Sequence, residues 1–250
     1  MFSVFLRPSR ELEEWLIAEL WESGTTGIVE EVGGVRAFFE AEVEREALLT
    51  RFASCAPELR EEAAIDWVQA TRDAWPPMLA GERFFLAAPW CNEPAPSGRL
   101  RLEIYPGMAC GTGRHPATKL ALQAIERHVN RGDRVADIGT GSGILASAAK
   151  LVGAGTVIGC DIDQETIEVA RERLAVPLFV GSAAAIRSGW ADVVIANIDA
   201  ATIEDIAGEL ARVRKPQGRL ILTGFPEWEM PDGFRVREIL RQEEWVCWVC

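Results

Sequence analysis

Residues 133–163 read DRVADIGTGSGILASAAKLVGAGTVIGCDID, and this stretch decides the fold. The apolar run Val135, Ala136 and Ile138 ends in three alternating glycines, Gly139, Gly141 and Gly143. An Ala-rich helical segment follows from Ile144 to Val152. A second apolar run, Thr156 to Cys160, ends on Asp161. The pattern is strand, Gly-rich turn, helix, strand, acid: one βαβ unit with a nucleotide site at its mouth. Glycines let the backbone turn sharply and approach a ligand closely. The turn aims free helix N–H groups at that ligand. A carboxylate about 20 residues on can bond both hydroxyls of a ribose.

Such a unit holds either NAD or S-adenosylmethionine. Gly141-Ser142-Gly143-Ile144-Leu145-Ala146 satisfies the dinucleotide pattern with Ala in the last place. Two features favour the sulfonium ligand. Asp137 sits just before the glycines, where an acid repels a pyrophosphate and attracts the ammonium of a methionine tail. The unit also begins far along the chain, not at a domain start that offers two mononucleotide halves. The plain alternative is a Gly-rich turn with no ligand; three spaced glycines and two placed acids argue against it.

The 250 residues suffice for one large domain or two small ones, and 48% hydrophobic content supports a proper core. The net charge of −12 argues against a nucleic-acid binder. Residues 1–70 hold fifteen acids against six arginines, so the front of the chain carries most of the excess. That face suits a basic partner or serves solubility. Charged residues from Arg7 onward exclude a secretory signal, and no apolar run approaches a membrane span. The six cysteines lack framework spacing, which suits a reducing cytoplasm. Cys247-Trp-Val-Cys250 is formally C-x-x-C, but strand alternation puts the two thiols on opposite faces, and no metal site is expected.

Taken in order, residues 2–6 predict a strand. Ser9 caps a helix from Arg10 to Glu22, and Thr26–Glu31 and Val35–Ala41 pair around Gly33-Gly34. A second helix runs from Glu42 to Ala53, and Ala63–Val68 reads as a fourth strand. The order βαββαβ predicts a small ferredoxin-like α+β domain over 1–68. Residues 69–99 read as a packed linker with Trp75 and Trp90 around a short strand, Arg83–Ala87. Leu100–Tyr105 is a strand, and after an irregular loop His115-Pro116 opens a helix from Ala117 to His128. Thr118 lies in its first turn, within reach of a ligand. His115 reads as a loop-shaping residue rather than a general base, and His128 as a surface residue. Helix 164–174, strand 177–180, strand 190–196, helix 201–213 and strand 219–224 complete the βα repeats. Asn197 stands at the carboxyl end of its strand, where α/β sheets bind ligands. A hairpin of 234–240 and 244–249 closes the sheet. The fold class is thus α/β, with the catalytic domain over 100–250.

With these residues in view, the chain resembles the class I S-adenosylmethionine-dependent methyltransferases, and more closely the PrmA family, which methylates ribosomal protein L11. Gly111-Thr112-Gly113-Arg114-His115-Pro116-Ala117-Thr118 resembles the family's G-T-G-x-H-x-T-T loop. Asp137 to Gly143, Asp161-Ile162-Asp163, Asn197-Ile198 and the segment from Trp75-Pro76 to Pro89-Trp90 carry the rest of the likeness. The resemblance implies a seven-stranded Rossmann-like sheet, S-adenosyl-L-methionine as cofactor, and no metal. Thr118 and Gly139 would contact its methionine part, with Asp137 and Gly141 beside them. Asp161 would hold the ribose. Asn197 would lie at the methyl-transfer point as both cofactor contact and catalytic residue. The implied partner is a basic ribosomal protein, methylated on lysine or N-terminal amines by a cytoplasmic monomer, with no nucleic acid or membrane partner. Three positions depart from the family pattern: Cys110 replaces an aromatic residue, Ala117 a threonine, and Asp199 a small or apolar residue. The helix before the hairpin is shortened to 226–233.

Overall fold

The computed structural model of the chain describes residues 1–7, 13–62, 72–105 and 113–250. It divides into units of residues 1–70 and 71–250. In the first, β1 (Phe2–Leu6), α1 (Glu13–Glu22), β2 (Gly27–Glu31), β3 (Gly34–Phe39), α2 (Arg45–Arg51) and β4 (Glu58–Glu61) follow one another. The sheet order is β2-β3-β1-β4, antiparallel throughout, as in a ferredoxin-like unit. Strand β1 is central and buried on every residue. Phe2, Val4 and Leu6 pack with Leu16, Leu20, Phe39, Leu48 and Phe52. The fourth strand falls at Glu58–Glu61. All four of its residues are exposed, and it is held to β1 by its backbone, so it shows no apolar alternation. The expected strand 63–68 and the expected cap Ser9 lie outside the described residues, as do Cys110, Gly111 and Thr112.

The second unit begins with a small sheet of β5 (Met78–Ala80), β6 (Phe84–Ala87) and β7 (Leu100–Glu103). Residues read from sequence as a linker therefore supply two of its strands. Their Pro-rich connection closes around one guanidinium, since Arg101 donates to the carbonyls of Ala88, Cys91 and Glu93. Then come α3 (Pro116–His128), β8 (Arg134–Ile138), α4 (Ile144–Leu151), β9 (Thr156–Asp161), α5 (Gln164–Arg171), β10 (Leu178–Val180) and β11 (Ala191–Asn197). The chain ends with α6 (Ala200–Asp205), α7 (Ala207–Val213), β12 (Arg214–Pro226), β13 (Glu238–Gln242) and β14 (Trp245–Val249).

The seven-stranded sheet has the order β10-β9-β8-β11-β12-β14-β13. Strands β8 to β12 pair in parallel, and β14 runs antiparallel to both β12 and β13. The sequence alternates between its two faces. Val135, Val193, Ile195, Ile221 and Cys247 join the core under α3 and α4. Ala136, Ile138, Val194, Ala196, Leu222 and Cys250 join the core under α6 and α7. The two thiols of the C-x-x-C sequence thus belong to opposite cores. Strand order reverses between β8 and β11, the switch point at which open α/β sheets bind ligands.

Some elements differ from the sequence reading. The helix expected over 201–213 is broken at Ile206, which leaves helical geometry at φ −103° and ψ 9°. The turn at Pro216-Gln217-Gly218 lies within β12 as an irregularity: pairing jumps from Ala191 with Arg214 to Val193 with Arg219. The first hairpin strand starts at Glu238, after Phe234 and Val236 have packed on the core without pairing their backbones. His128 is no free surface residue, since its Nε2 lies 2.7 Å from Glu238 on β13. No helix among the described residues is long and apolar enough to cross a membrane.

Candidate active site

The site grows from the carboxyl ends of β8, β9 and β11. Strand alternation turns Asp137 to the α3–α4 side of β8, where it is 1% exposed. Its Oδ2 accepts from Thr140 Oγ1 at 2.7 Å and from the Ala146 amide at 3.1 Å. The carboxylate thereby ties the glycine turn to the first turn of α4 and satisfies an amide that the helix leaves open. Oδ1 is buried and has no hydrogen-bond donor among the described residues. Burial pushes the Asp137 carboxyl up to about 6 against the pull of those two donors, and the charge of Asp161 adds to the rise. An orphaned anionic oxygen in a buried wall calls for a cationic donor. The ammonium of a methionine moiety fits that demand, and a pyrophosphate does not.

Asp161 ends β9. Its Oδ2 accepts from the Gly141 amide at 3.0 Å and its Oδ1 from the Asp163 amide at 3.1 Å. Each oxygen keeps a second lone pair for a ribose hydroxyl. The next acid, Asp163, has its carboxylate held low by Thr166, first through the side chain and then the backbone, as it caps α5. Gly139 has φ 68°, and a Cβ there would lie 2.6 Å from Ile198 Cγ2. Only glycine lets the turn leave β8 beneath Ile198. Cys160 lies behind the turn, and burial pushes its thiol up to about 12.

Asn197 ends β11, next to β8 in the sheet. Its Nδ2 donates to Thr118 Oγ1 at 3.2 Å, across 79 positions of chain. Thr118 is itself buried in the first turn of α3. The pair joins the start of α3 to the switch point and leaves Asn197 Oδ1 without a hydrogen-bond donor among the described residues. The Ile198 amide donates to the Thr223 carbonyl at 3.0 Å. Gly224 follows at φ 104°, where a Cβ would lie 2.3 Å from the Ile198 carbonyl oxygen. His115 is the cap of α3: its Nδ1 accepts from the Ala117 amide at 3.2 Å, and its ring stands edge-on to Trp245. That is the loop-shaping role expected of it. Asp199 likewise caps α6 by accepting from the Thr202 amide and hydroxyl.

The six residues singled out in the sequence are therefore linked in pairs or through near neighbours: Asp161 to Gly141, Asn197 to Thr118, and Gly139 to Ile198. Asp137 joins them through Thr140. Sequence reasoning missed the roles of Thr140 and Gly224, which lie in contacts at the ends of neighbouring strands. Thr140 alone carried a signal, as the hydroxyl residue inside the glycine turn.

A dinucleotide sheet in the order 3-2-1-4-5-6 is built of parallel strands. Here the first five follow that order, and a reversed strand, β14, is inserted between β12 and β13. This sheet, with a buried acid before the glycines, defines a class I S-adenosylmethionine-dependent methyltransferase.

The family model described as ribosomal protein L11 methyltransferase (PrmA) matches residues 4–250, and the chain belongs to that family. A Deinococcus radiodurans protein named ribosomal protein L11 methyltransferase is 37% identical over 96% of this chain and 89% of its own length. A Burkholderia mallei protein of the same name is 41% identical over 67% of this chain and 56% of its own length. The match thus spans little more than half of the Burkholderia protein. Among solved structures, the ribosomal protein L11 methylase of Lactobacillus delbrueckii subsp. bulgaricus superposes with a TM-score of 0.63 at 28% identity. That superposition covers 69% of this chain and 96% of the other.

Proposed function

We propose that this methyltransferase acts on ribosomal protein L11, transferring methyl groups to its lysine or N-terminal amines. The observation that carries the reading is Asn197, an amide at the switch point whose nitrogen is engaged by Thr118 and whose oxygen has no donor among the described residues. When bound, S-adenosylmethionine supplies a methyl group on a positively charged sulfur, an electrophile that needs no protein nucleophile. The residues hold and align. The orphaned Oδ1 of Asp137 takes the ammonium of the methionine part, with Thr118, Gly139 and Gly141 beside it. Asp161 takes the ribose hydroxyls. Asn197 Oδ1 and the Ile198 carbonyl accept the N–H bonds of the acceptor amine and aim its lone pair. Alignment of this kind supplies about 7–11 kcal/mol of barrier lowering. A lysine must first lose its proton, near pKa 10.4 in water, and a nearby sulfonium lowers that value.

The acid-rich unit of residues 1–70 suits recognition of a basic protein, and the reading places the enzyme in the cytoplasm as a monomer without a nucleic-acid partner. Buried free thiols at Cys55, Cys160, Cys247 and Cys250 suit a reducing compartment. The test is incubation of the protein with labelled S-adenosylmethionine and purified ribosomal protein L11, followed by mass spectrometry of the product. Label on L11 amines is expected. Tight binding of S-adenosylhomocysteine with no transfer to L11 would overturn the substrate assignment.

A further inference from the structure

Asn197 on β11 faces Thr223 on β12 in the sheet register. Past the close approach of Ile198 to Gly224 the two chains follow separate courses. One enters α6, and the other runs through Pro226 into a single 3-10 turn, Glu227–Glu229. The turn is fixed at both ends. The Glu227 amide donates to the Glu244 carbonyl at 2.9 Å, and the Asp232 amide donates to Glu204 Oε1 on α6 at 2.8 Å. Phe225, Pro226 and Pro231 are buried on either side. Between these anchors Trp228 is 71% exposed and Met230 is 42% exposed. Trp228 is the one exposed aromatic residue among the described residues of the second unit. A fixed backbone that holds an indole in water, five residues past the strand partner of Asn197, is a binding feature rather than a packing one.

The surroundings identify the occupant by charge. Glu229 and Asp205 have no ion-pair partner among the described residues, and Glu227 is paired with Arg241 at 3.0 Å. An indole next in the chain to the uncompensated carboxylate of Glu229 attracts alkylammonium groups through the ring face and through charge together. Trp228 is five residues beyond Thr223, so at most about 18 Å of chain separates it from the strand partner of Asn197. About five extended residues of a substrate cover that distance. We propose that the turn Glu227–Met230 is the dock for the basic, lysine-bearing protein segment whose amine is methylated, with Trp228 gripping a side chain a few positions from the acceptor.

This inference rests on the protein-amine reading above, and steady-state kinetics with ribosomal protein L11 separate the two. Trp228→Ala is expected to raise KM for L11 about tenfold, with kcat within twofold and S-adenosylhomocysteine affinity unchanged. Trp228→Phe should recover most of the loss. Glu229→Lys should raise KM several-fold at low salt and converge on the wild type at high salt. An unchanged KM in Trp228→Ala overturns the dock. If the wild type binds S-adenosylhomocysteine but transfers no methyl to L11, the proposed substrate fails. Titration with a lysine-rich peptide then decides the dock: a tenfold weakening by Trp228→Ala sustains it, and equal binding by the two proteins overturns it.

Discussion

Asp137 Oδ2 serves the fold by binding Thr140 and the Ala146 amide, while Oδ1 has no hydrogen-bond partner among the described residues. The same burial that orphans Oδ1 raises the carboxyl to about 6. The sign follows from linkage. A carboxyl raised in the folded state holds its proton more tightly than in the unfolded chain. Its ionisation therefore costs stability that is absent below about 3.8 and fully present above about 6. A cationic ligand offsets that cost only by meeting the ionised form. Affinity for S-adenosylhomocysteine should be constant above about pH 7 and fall as pH drops through 6, to about one tenth at pH 5. Calorimetry across pH 5–8 checks this, and Asp137→Asn should bind weakly with no break near 6. At β9, Asp161→Ala should weaken the same ligand by about 1.5–3 kcal/mol, the loss of hydrogen bonds to a charged group. An unchanged dissociation constant would put the ribose elsewhere.

Strand ends, rather than single side chains, set the acceptor geometry. β11 and β12 approach so closely at Ile198 and Gly224 that a Cβ on Gly224 would meet the backbone of Ile198, which cannot turn aside. At φ 104° an alanine is strained in any case. Gly224→Ala should destabilise the protein by about 2–3 kcal/mol. That corresponds to a fall of about 4–12 °C in Tm, and transfer should slow further because Asn197 is displaced with Ile198. A wild-type Tm would mean that the strands relax freely. The elements around this point differed in how plainly the sequence announced them. The β8–α4–β9 unit was legible because each glycine and acid there has a local steric or electrostatic reason. Strand β6 was legible as a short apolar run, but β5 was not, since the prolines around it mask a sheet closed by the carbonyl bonds of Arg101. β4 at Glu58–Glu61 was missed because an edge strand with exposed side chains shows no alternation. The contact of Thr118 with Asn197 spans 79 positions. No spacing rule reaches that far, and only resemblance to a known family brought the two residues into one site.

At the scale of the whole molecule, charge is the property that both units share. The net charge is −12, and residues 1–70 carry fifteen acids against six arginines. Four of those arginines, Arg7, Arg36, Arg45 and Arg51, are already paired with Glu58, Glu31, Glu61 and Glu19. Glu40, Glu42, Glu44 and Glu46 are exposed and have no ion pair among the described residues. Exposed pairs add little stability, at most about 1 kcal/mol each. The unpaired acids instead contribute a long-range field of the sign that attracts a basic protein, screened beyond a Debye length of about 10 Å at 0.1 M salt. The carboxylates proposed to hold the cofactor, Asp137 and Asp161, are buried and half-buried, where salt reaches poorly. The two affinities should therefore part company. Raising salt from 50 to 300 mM should lower kcat/KM for L11 about tenfold through KM, and change the S-adenosylhomocysteine dissociation constant less than twofold. Neutralising Glu40, Glu42 and Glu44 to glutamine should reproduce part of the loss at low salt and flatten the salt dependence. Equal salt slopes for the triple variant and the wild type would assign the acidic face to solubility alone.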